Sequence, residues 1–292
     1  MQKQEVDLQS LQALYATTGQ RVPHDCTTRT SSVNAHCQDL RRGEIRLLTI
    51  RSQFDFALEK VSLEDGPHFV AVSYRWGDVN GLRDVQINDH NVKLRQHVCA
   101  MLNQLHRQHH MIRLWIDMIC INQNDPDEKS EQVPLMGEIY SKAAKVYAWL
   151  GEADPETDLV FDVLTEFRDV RNVAGFPASW DAAEQLSFHR QLFRDIYHGK
   201  AGSLPEKSDI DDDMLHDEFN WLRPLYARPY WGRVWIVQEL VLAKTVVICC
   251  GDKCINFDDI YGLSLDWGSF EQGFDTGTYQ KMKPQSTGWY TI

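Results

Sequence analysis

Between residues 68 and 150 the chain alternates short apolar runs with stretches of helical periodicity, and this rhythm restricts the fold more than any other feature. Residues 68–74 (HFVAVSY), 113–117 (RLWID) and 145–150 (KVYAWL) have the length and composition of strands. Between them Val98, Met101, Leu102 and Leu105 recur at helical spacing, as do Val133, Met136, Ile139, Tyr140 and Ala143. Repeated strand–helix–strand units imply an α/β fold with a mainly parallel sheet flanked by helices. Pro134 suits only a first helical turn, so the second helix is expected to begin near it, after a polar turn over 122–127. Upstream, 44–50 (EIRLLTI) reads as an earlier strand, 54–65 is weakly patterned, and 85–88 with 91–94 flank Asp89-His90 as a tight hairpin.

The rhythm is interrupted over 152–228, where helical patterns at 156–170 and 181–197 are separated by Gly175-Phe176-Pro177. It resumes with a helix over 232–242 and a strand over 245–250. The expected organisation is an N-terminal extension (1–44), a main domain (45–255) carrying 152–228 as a helical insertion, and a C-terminal extension (256–292). The first extension holds a short amphipathic helix at 7–17 and a polar loop at 19–36.

A chain of 292 residues can bury a large core. Its formal net charge of −12 speaks against a general nucleic-acid surface, which needs concentrated basic charge. The polar, acidic start is no signal peptide, and no apolar run is long enough for a membrane span, so a cytoplasmic protein is expected. The seven cysteines, odd in number and set in apolar runs, are expected to be reduced thiols. Cys249, Cys250 and Cys254 lack metal-knuckle spacing and read as an inert strand end before the turn Gly251-Asp252. The acidic stretch 209–213 (DIDDD) lacks the glycine and terminal glutamate of a calcium loop and reads as a solvated loop. No metal or cofactor is expected.

Candidate chemistry centres on 234–240 (VWIVQEL), where Glu239 stands alone in an apolar helical run. A buried carboxylate needs a partner, a raised pKa or a task. Trp235 lies four residues before it, on the same helical face, as a candidate aromatic wall. Equally, Glu239 could pair with Arg233 or Arg75 and serve only to lock the helix. Ser73, Arg75, Trp76 and Asp78 follow one strand and Asp117 ends another, positions where open α/β sheets hold ligands. Guanidinium, aromatic face and carboxylate together suit a nucleotide's phosphate, ring and ribose. Asp117 could instead cap the backbone beyond its strand, and Trp76 could be core. Cys120, between Ile119 and Ile121, reads as a buried thiol rather than a nucleophile. The chain lacks G-x-G-x-x-G after a strand, the P-loop pattern and G-x-S-x-G, which weakens redox-dinucleotide, P-loop and serine-hydrolase readings.

These same segments resemble the fungal heterokaryon incompatibility (HET) domain. The matching blocks are 45–48 (IRLL), 71–78 (AVSYRWGD), 114–123 (LWIDMICINQ) running into Glu128 and Gln132, 149–151 (WLG) and 230–239 (YWGRVWIVQE). Arg75 and Met118 depart from the residues the family often carries there. The resemblance implies a role in non-self recognition and programmed cell death when incompatible fungal cells fuse. HET domains are in turn similar to TIR domains, some of which cleave NAD⁺ at the nicotinamide–ribose bond. That likeness implies a TIR-like, flavodoxin-like sheet, with Glu239 as the catalytic carboxylate and Ser73, Arg75, Trp76, Asp78, Asp117 and Trp235 around the nucleotide. It further implies a homo-oligomer, with an NLR-like or other incompatibility protein as partner. The competing expectations are a non-enzymatic signalling module and a nucleotide sensor without turnover.

Overall fold

The computed structural model describes residues 39–77, 81–108, 112–173, 179, 182–201 and 222–260. The expected helix at 7–17, the loop at 19–36, Asp78, the break at 175–177, the acidic stretch at 209–213 and everything after residue 260 lie outside the described residues.

Among the described residues nine strands form one sheet: β1 (Glu44–Ser52), β2 (Asp55–Ser62), β3 (Val70–Tyr74), β4 (Leu82–Ile87), β5 (His90–Arg95), β6 (Arg113–Trp115), β7 (Lys145–Trp149), β8 (Val246–Cys250) and β9 (Lys253–Asn256). Their spatial order is β5-β4-β2-β1-β6-β3-β7-β8-β9. The four central strands, β6-β3-β7-β8, run parallel. β1 and β2 pair antiparallel, as do β1 with β6, β4 with β5, and β8 with β9, while β2 and β4 are parallel. The fold is therefore α/β with a mixed sheet, and the expected mainly parallel arrangement describes only its centre.

Connection length explains the antiparallel wings. β1–β2, β4–β5 and β8–β9 are each joined by two residues, too few for the crossover a parallel pair requires. The β4–β5 turn is Asn88-Asp89, one residue earlier than expected, and both have positive φ (49° and 66°). Such a turn needs left-handed backbone at both central positions, which Asn and Asp tolerate well. Asn88 also clamps the neighbouring strand: its Oδ1 accepts from Leu58 N and its Nδ2 donates to Leu58 O, each at 2.9 Å. That clamp helps make a strand of β2, whose weak patterning hid it.

Helices connect the central strands. They are α1 (Gln96–Gln108), the single turn α2 (Asp117–Cys120), α3 (Pro126–Lys142), α4 (Pro155–Val173), α5 (Ala182–Ala201), and the short α6 (Arg223–Tyr226) and α7 (Ile236–Val241). α3 begins eight residues before Pro134. Asp125 caps it, its side chain accepting from Asp127 N and Glu128 N, and Pro126 occupies the first turn. Pro134 sits inside the helix. The expected helix at 232–242 is also shorter than its pattern. Residues Pro229–Gly232 form a 3₁₀ turn, Arg233 is extended, and regular helix starts at Ile236.

All five residues of β3 are buried, as a parallel strand covered on both faces should be. In chain order the four central strands lie 2-1-3-4, so the crossover direction reverses at β3. The crevice at such a reversal, beside the carboxyl ends of β3 and β7, is where open α/β sheets bind ligands. A bidentate pair anchors the β1 side: Arg46 donates to both carboxylate oxygens of Glu128, at 2.6 and 2.8 Å.

One cysteine expectation is corrected. Cys249 and Cys254 face each other directly across β8 and β9, with Cα atoms 4.3 Å apart, and form a disulfide. Cys99, Cys120 and Cys250 are buried and take no part in a disulfide. No group of three or more His, Cys, Asp or Glu side chains among the described residues is placed to hold a metal ion. No helix among them is long and apolar enough to cross a membrane.

Candidate functional site

Ser73 is the one polar residue of β3, fully buried near its carboxyl end. Three side chains from 229–241 converge on it: Tyr230 from the 3₁₀ turn, Arg233 from the extended link and Glu239 from α7. Ser73 Oγ hydrogen-bonds the Glu239 carboxylate, lies 2.6 Å from Tyr230 Oη, and accepts from Arg233 Nη1 at 3.2 Å. A serine hydroxyl has one proton to donate, and it goes to Glu239. Tyr230 must therefore donate to Ser73, giving a directed chain Tyr230→Ser73→Glu239.

Arg233 completes the arrangement. Its Nη2 donates to Glu239 Oε1 at 2.8 Å and its Nη1 to Oε2 at 2.9 Å. Glu239 is 1% exposed and Arg233 17%. Every side-chain hydrogen bond at Glu239 is donated to it, the pattern of an ionised carboxylate. Burial pushes the Glu239 carboxyl above its usual range, against the Arg233 charge and hydrogen bonds and the Ser73 bond. Burial likewise holds the Tyr230 and Tyr140 hydroxyls well up, with the Glu239 charge adding to it. Tyr140 Oη donates to Val72 O at 3.4 Å, tying α3 to β3 one residue from Ser73.

A second cluster lies at the ends of β3 and β6. Trp76 Nε1 donates to Asp117 Oδ2 at 2.8 Å, while Asp117 Oδ1 accepts from Met118 N at 2.7 Å. Asp117 thus supports the backbone turn and orients Trp76 at once. Burial pushes its carboxyl up, against the Trp76 hydrogen bond and the Arg233 charge. The Tyr74 hydroxyl is buried and faces Asp117 without a hydrogen bond of ordinary geometry. Arg95 Nη1 donates to the carbonyls of Trp76 and Gly77, at 2.7 and 2.9 Å, and its guanidinium lies 5.9 Å from the Trp76 ring centre. Gly77 has φ +60°, and a β-carbon there would come within 2.7 Å of the His97 ring. The turn after Trp76 therefore requires glycine.

Of the residues singled out from sequence, Ser73 and Glu239 are in contact, and so are Trp76 and Asp117. Arg75 is exposed, with no hydrogen bond or ion pair among the described residues. Trp235 is 43% exposed, and no side-chain hydrogen bond of Glu239 goes to it. The aromatic group in the carboxylate's network is Tyr230, which sequence reasoning did not single out. The signal was present: a tyrosine in the same matched block, nine residues before the glutamate.

Comparison with known proteins bears on this geometry directly. The family model "Heterokaryon incompatibility protein (HET)" matches residues 69–239, well over half of the chain. The chain belongs to the HET family. The matched span of this HET domain opens one residue before β3 and closes on Glu239, so it holds both clusters. The chain is also 30% identical over 218 residues to heterokaryon incompatibility protein 6, OR allele, of Neurospora crassa. That alignment covers 65% of this chain and 30% of the relative, so the chain spans less than a third of that protein's length. No solved structure matches the chain.

Proposed function

We propose that this HET domain is a cell-death effector of fungal non-self recognition, acting once assembled by cleaving NAD⁺ at the nicotinamide–ribose bond. The observation that carries the reading is the Ser73–Glu239 contact. It brings two buried polar side chains of the matched span together at the carboxyl end of β3, beside the sheet's reversal point. The 2-1-3-4 order of the central strands matches the start of the flavodoxin-like order, which supports the TIR-like comparison.

In this mechanism Glu239 accepts hydrogen bonds from the ribose hydroxyls and stabilises positive charge growing at the anomeric carbon. The bond from that carbon to the pyridinium nitrogen breaks, and its electron pair stays on nicotinamide, which leaves neutral. Water forms the new carbon–oxygen bond and releases a proton to solvent. The leaving group needs no protonation, so a preorganised carboxylate in a dry site suffices. Ser73 and Tyr230 hold the carboxylate in place, Trp76 and Trp235 flank the nucleotide, and Asp117 orients Trp76. Arg75 faces the diphosphate, and Asp78, outside the described residues, is the sequence candidate for the ribose.

The second reading, a non-enzymatic signalling module, has its own support: Arg233 already satisfies Glu239 as a structural partner would. Val234, Trp235 and Val241, all 43–50% exposed on one short segment, offer an apolar surface for self-association with further copies or with an NLR-like partner. A third reading is a nucleotide sensor that binds without turnover. The deciding experiment measures nicotinamide release from NAD⁺ across protein concentrations, for wild type and Glu239→Gln. Concentration-dependent release, reduced roughly 10²–10³-fold in the folded variant, is the expected result. Equal release from both removes Glu239 from the mechanism. No release from demonstrably assembled wild type leaves the signalling or sensing readings.

A further inference from the structure

The Glu239 carboxylate is fully engaged, with Oε1 held by Arg233 and Oε2 by Arg233 and Ser73. At 1% exposure it cannot be left bare, because a buried charge without its partner is strongly unfavourable. A diol alone could replace Arg233 at the carboxylate but would leave the displaced guanidinium only solvent to face. An anion alone could draw Arg233 away but would strand the carboxylate. A ligand carrying both vicinal hydroxyls and an anionic group satisfies both partners in one exchange.

Arg233 is built for that exchange. Its planar fork fits two phosphate oxygens as well as two carboxylate oxygens. It is the more accessible partner, and its backbone is extended between the 3₁₀ turn and α7, so it can turn without unwinding a helix. Arg75, the candidate for the phosphates on sequence grounds, is exposed to solvent, where a charge contact is weak.

We propose that Arg233 is the phosphate-binding, specificity-determining residue of this site, leaving Glu239 for the 5′-phosphate of a ribonucleotide as the ribose hydroxyls take its place. The inference rests on the nucleotide reading above, with or without turnover. It makes the site selective for ribosyl phosphates over ribosides. The ion pair then acts as a latch that opens only when both halves of the ligand arrive.

The test compares binding of nicotinamide mononucleotide and nicotinamide riboside by calorimetry, using the full chain as wild type, Arg233→Gln and Arg233→Lys. In the wild type the mononucleotide binds roughly tenfold or more tighter, the worth of hydrogen bonds to a charged group. Arg233→Gln brings that ratio close to one, and Arg233→Lys, which keeps the charge but loses the fork, falls between. A merely structural arginine would weaken both ligands together and leave the ratio unchanged. Equal wild-type affinities, or a ratio that survives Arg233→Gln, overturn the inference while the ribosyl reading stands. Binding of neither ligand overturns the nucleotide reading, and this inference with it. If Arg233→Gln fails to fold, the wild-type ratio together with Arg233→Lys decides.

Discussion

Two buried Arg–Glu pairs, alike in geometry, differ in almost everything that surrounds them. Arg46–Glu128 joins β1 to the first turn of α3, partners 82 residues apart in sequence, with side chains 2% and 10% exposed. Among the described residues its other hydrogen bonds run to backbone: Arg46 donates to Cys120 O and Glu128 accepts from Asn122 N. Arg233–Glu239 joins residues six apart, one of them on an irregular link; its other side-chain contacts among the described residues include the Ser73 hydroxyl, which Tyr230 hydrogen-bonds in turn, and the Tyr230 ring, 5.6 Å from the Arg233 guanidinium. The first pair is tied into fixed backbone on both sides, so it has nowhere to move. The second is held by groups that can rotate, and its arginine reaches solvent. The same two side chains therefore serve as an anchor in one place and as an exchangeable contact in the other.

Removing one partner from each pair is the strongest way to break that comparison. Glu128→Ala leaves Arg46 charged and buried, and should destabilise the protein by about 3–5 kcal/mol. Glu239→Gln keeps a hydrogen-bonding group of the same shape, and Arg233 can turn toward water, so the expected loss is about 1–2 kcal/mol. Urea denaturation of both variants measures the two. Equal losses would show that the second pair is also an anchor, and would weaken the case for exchange.

What could be read from the sequence follows the same division. The central strands and Glu239 announced themselves because burial on both faces forces continuous apolar runs, against which a lone carboxylate stands out. The wings did not. β2 has one face half exposed, and its partner β4 is reached only through the parallel edge that Asn88 clamps. The start of α3 was misjudged because Pro134 was weighed more heavily than the Asp125-Pro126 cap eight residues earlier. The Cys249–Cys254 bond depends on a β8–β9 register that no local pattern reveals. Within the site, Arg233 was among the partners considered for Glu239. Tyr230 was hidden because a tyrosine in an apolar block reads as core, and its hydroxyl's partner is 157 residues away.

The hydroxyl network sharpens the comparison through pH. Burial raises the pKa values of Tyr74, Tyr140 and Tyr230, whereas an unfolded tyrosine ionises near about 10. Above that pH the folded state holds protons that the unfolded state has lost. The tyrosines' contribution to stability is thus complete below about pH 10, and falls by about 1.4 kcal/mol per pH unit for each group as pH rises. Tyr230→Phe should reduce this alkaline slope by one tyrosine's share. At neutral pH it should cost about 1 kcal/mol, because Ser73 loses a donor. Tyrosinate absorbance, followed alongside unfolding, tests both: ionisation of these groups well before unfolding would show that the network is open to water.

Trp235→Ala is the smallest expected change to the folded chain and the most informative about the short segment carrying the exchangeable pair. Trp235 is 43% exposed at the N-cap of α7, where it contributes a backbone carbonyl that accepts from Glu239 N at 3.1 Å. Alanine keeps that carbonyl, so unfolding stability should change by no more than about 0.5 kcal/mol, as for an ordinary surface position. Self-association measured by sedimentation should weaken if the apolar surface of Val234, Trp235 and Val241 joins copies of the chain. A large loss of stability would mean that Trp235 braces the Arg233–Glu239 pair. That pair would then be as fixed as Arg46–Glu128, and the distinction between anchor and latch would fail at the residue nearest to it.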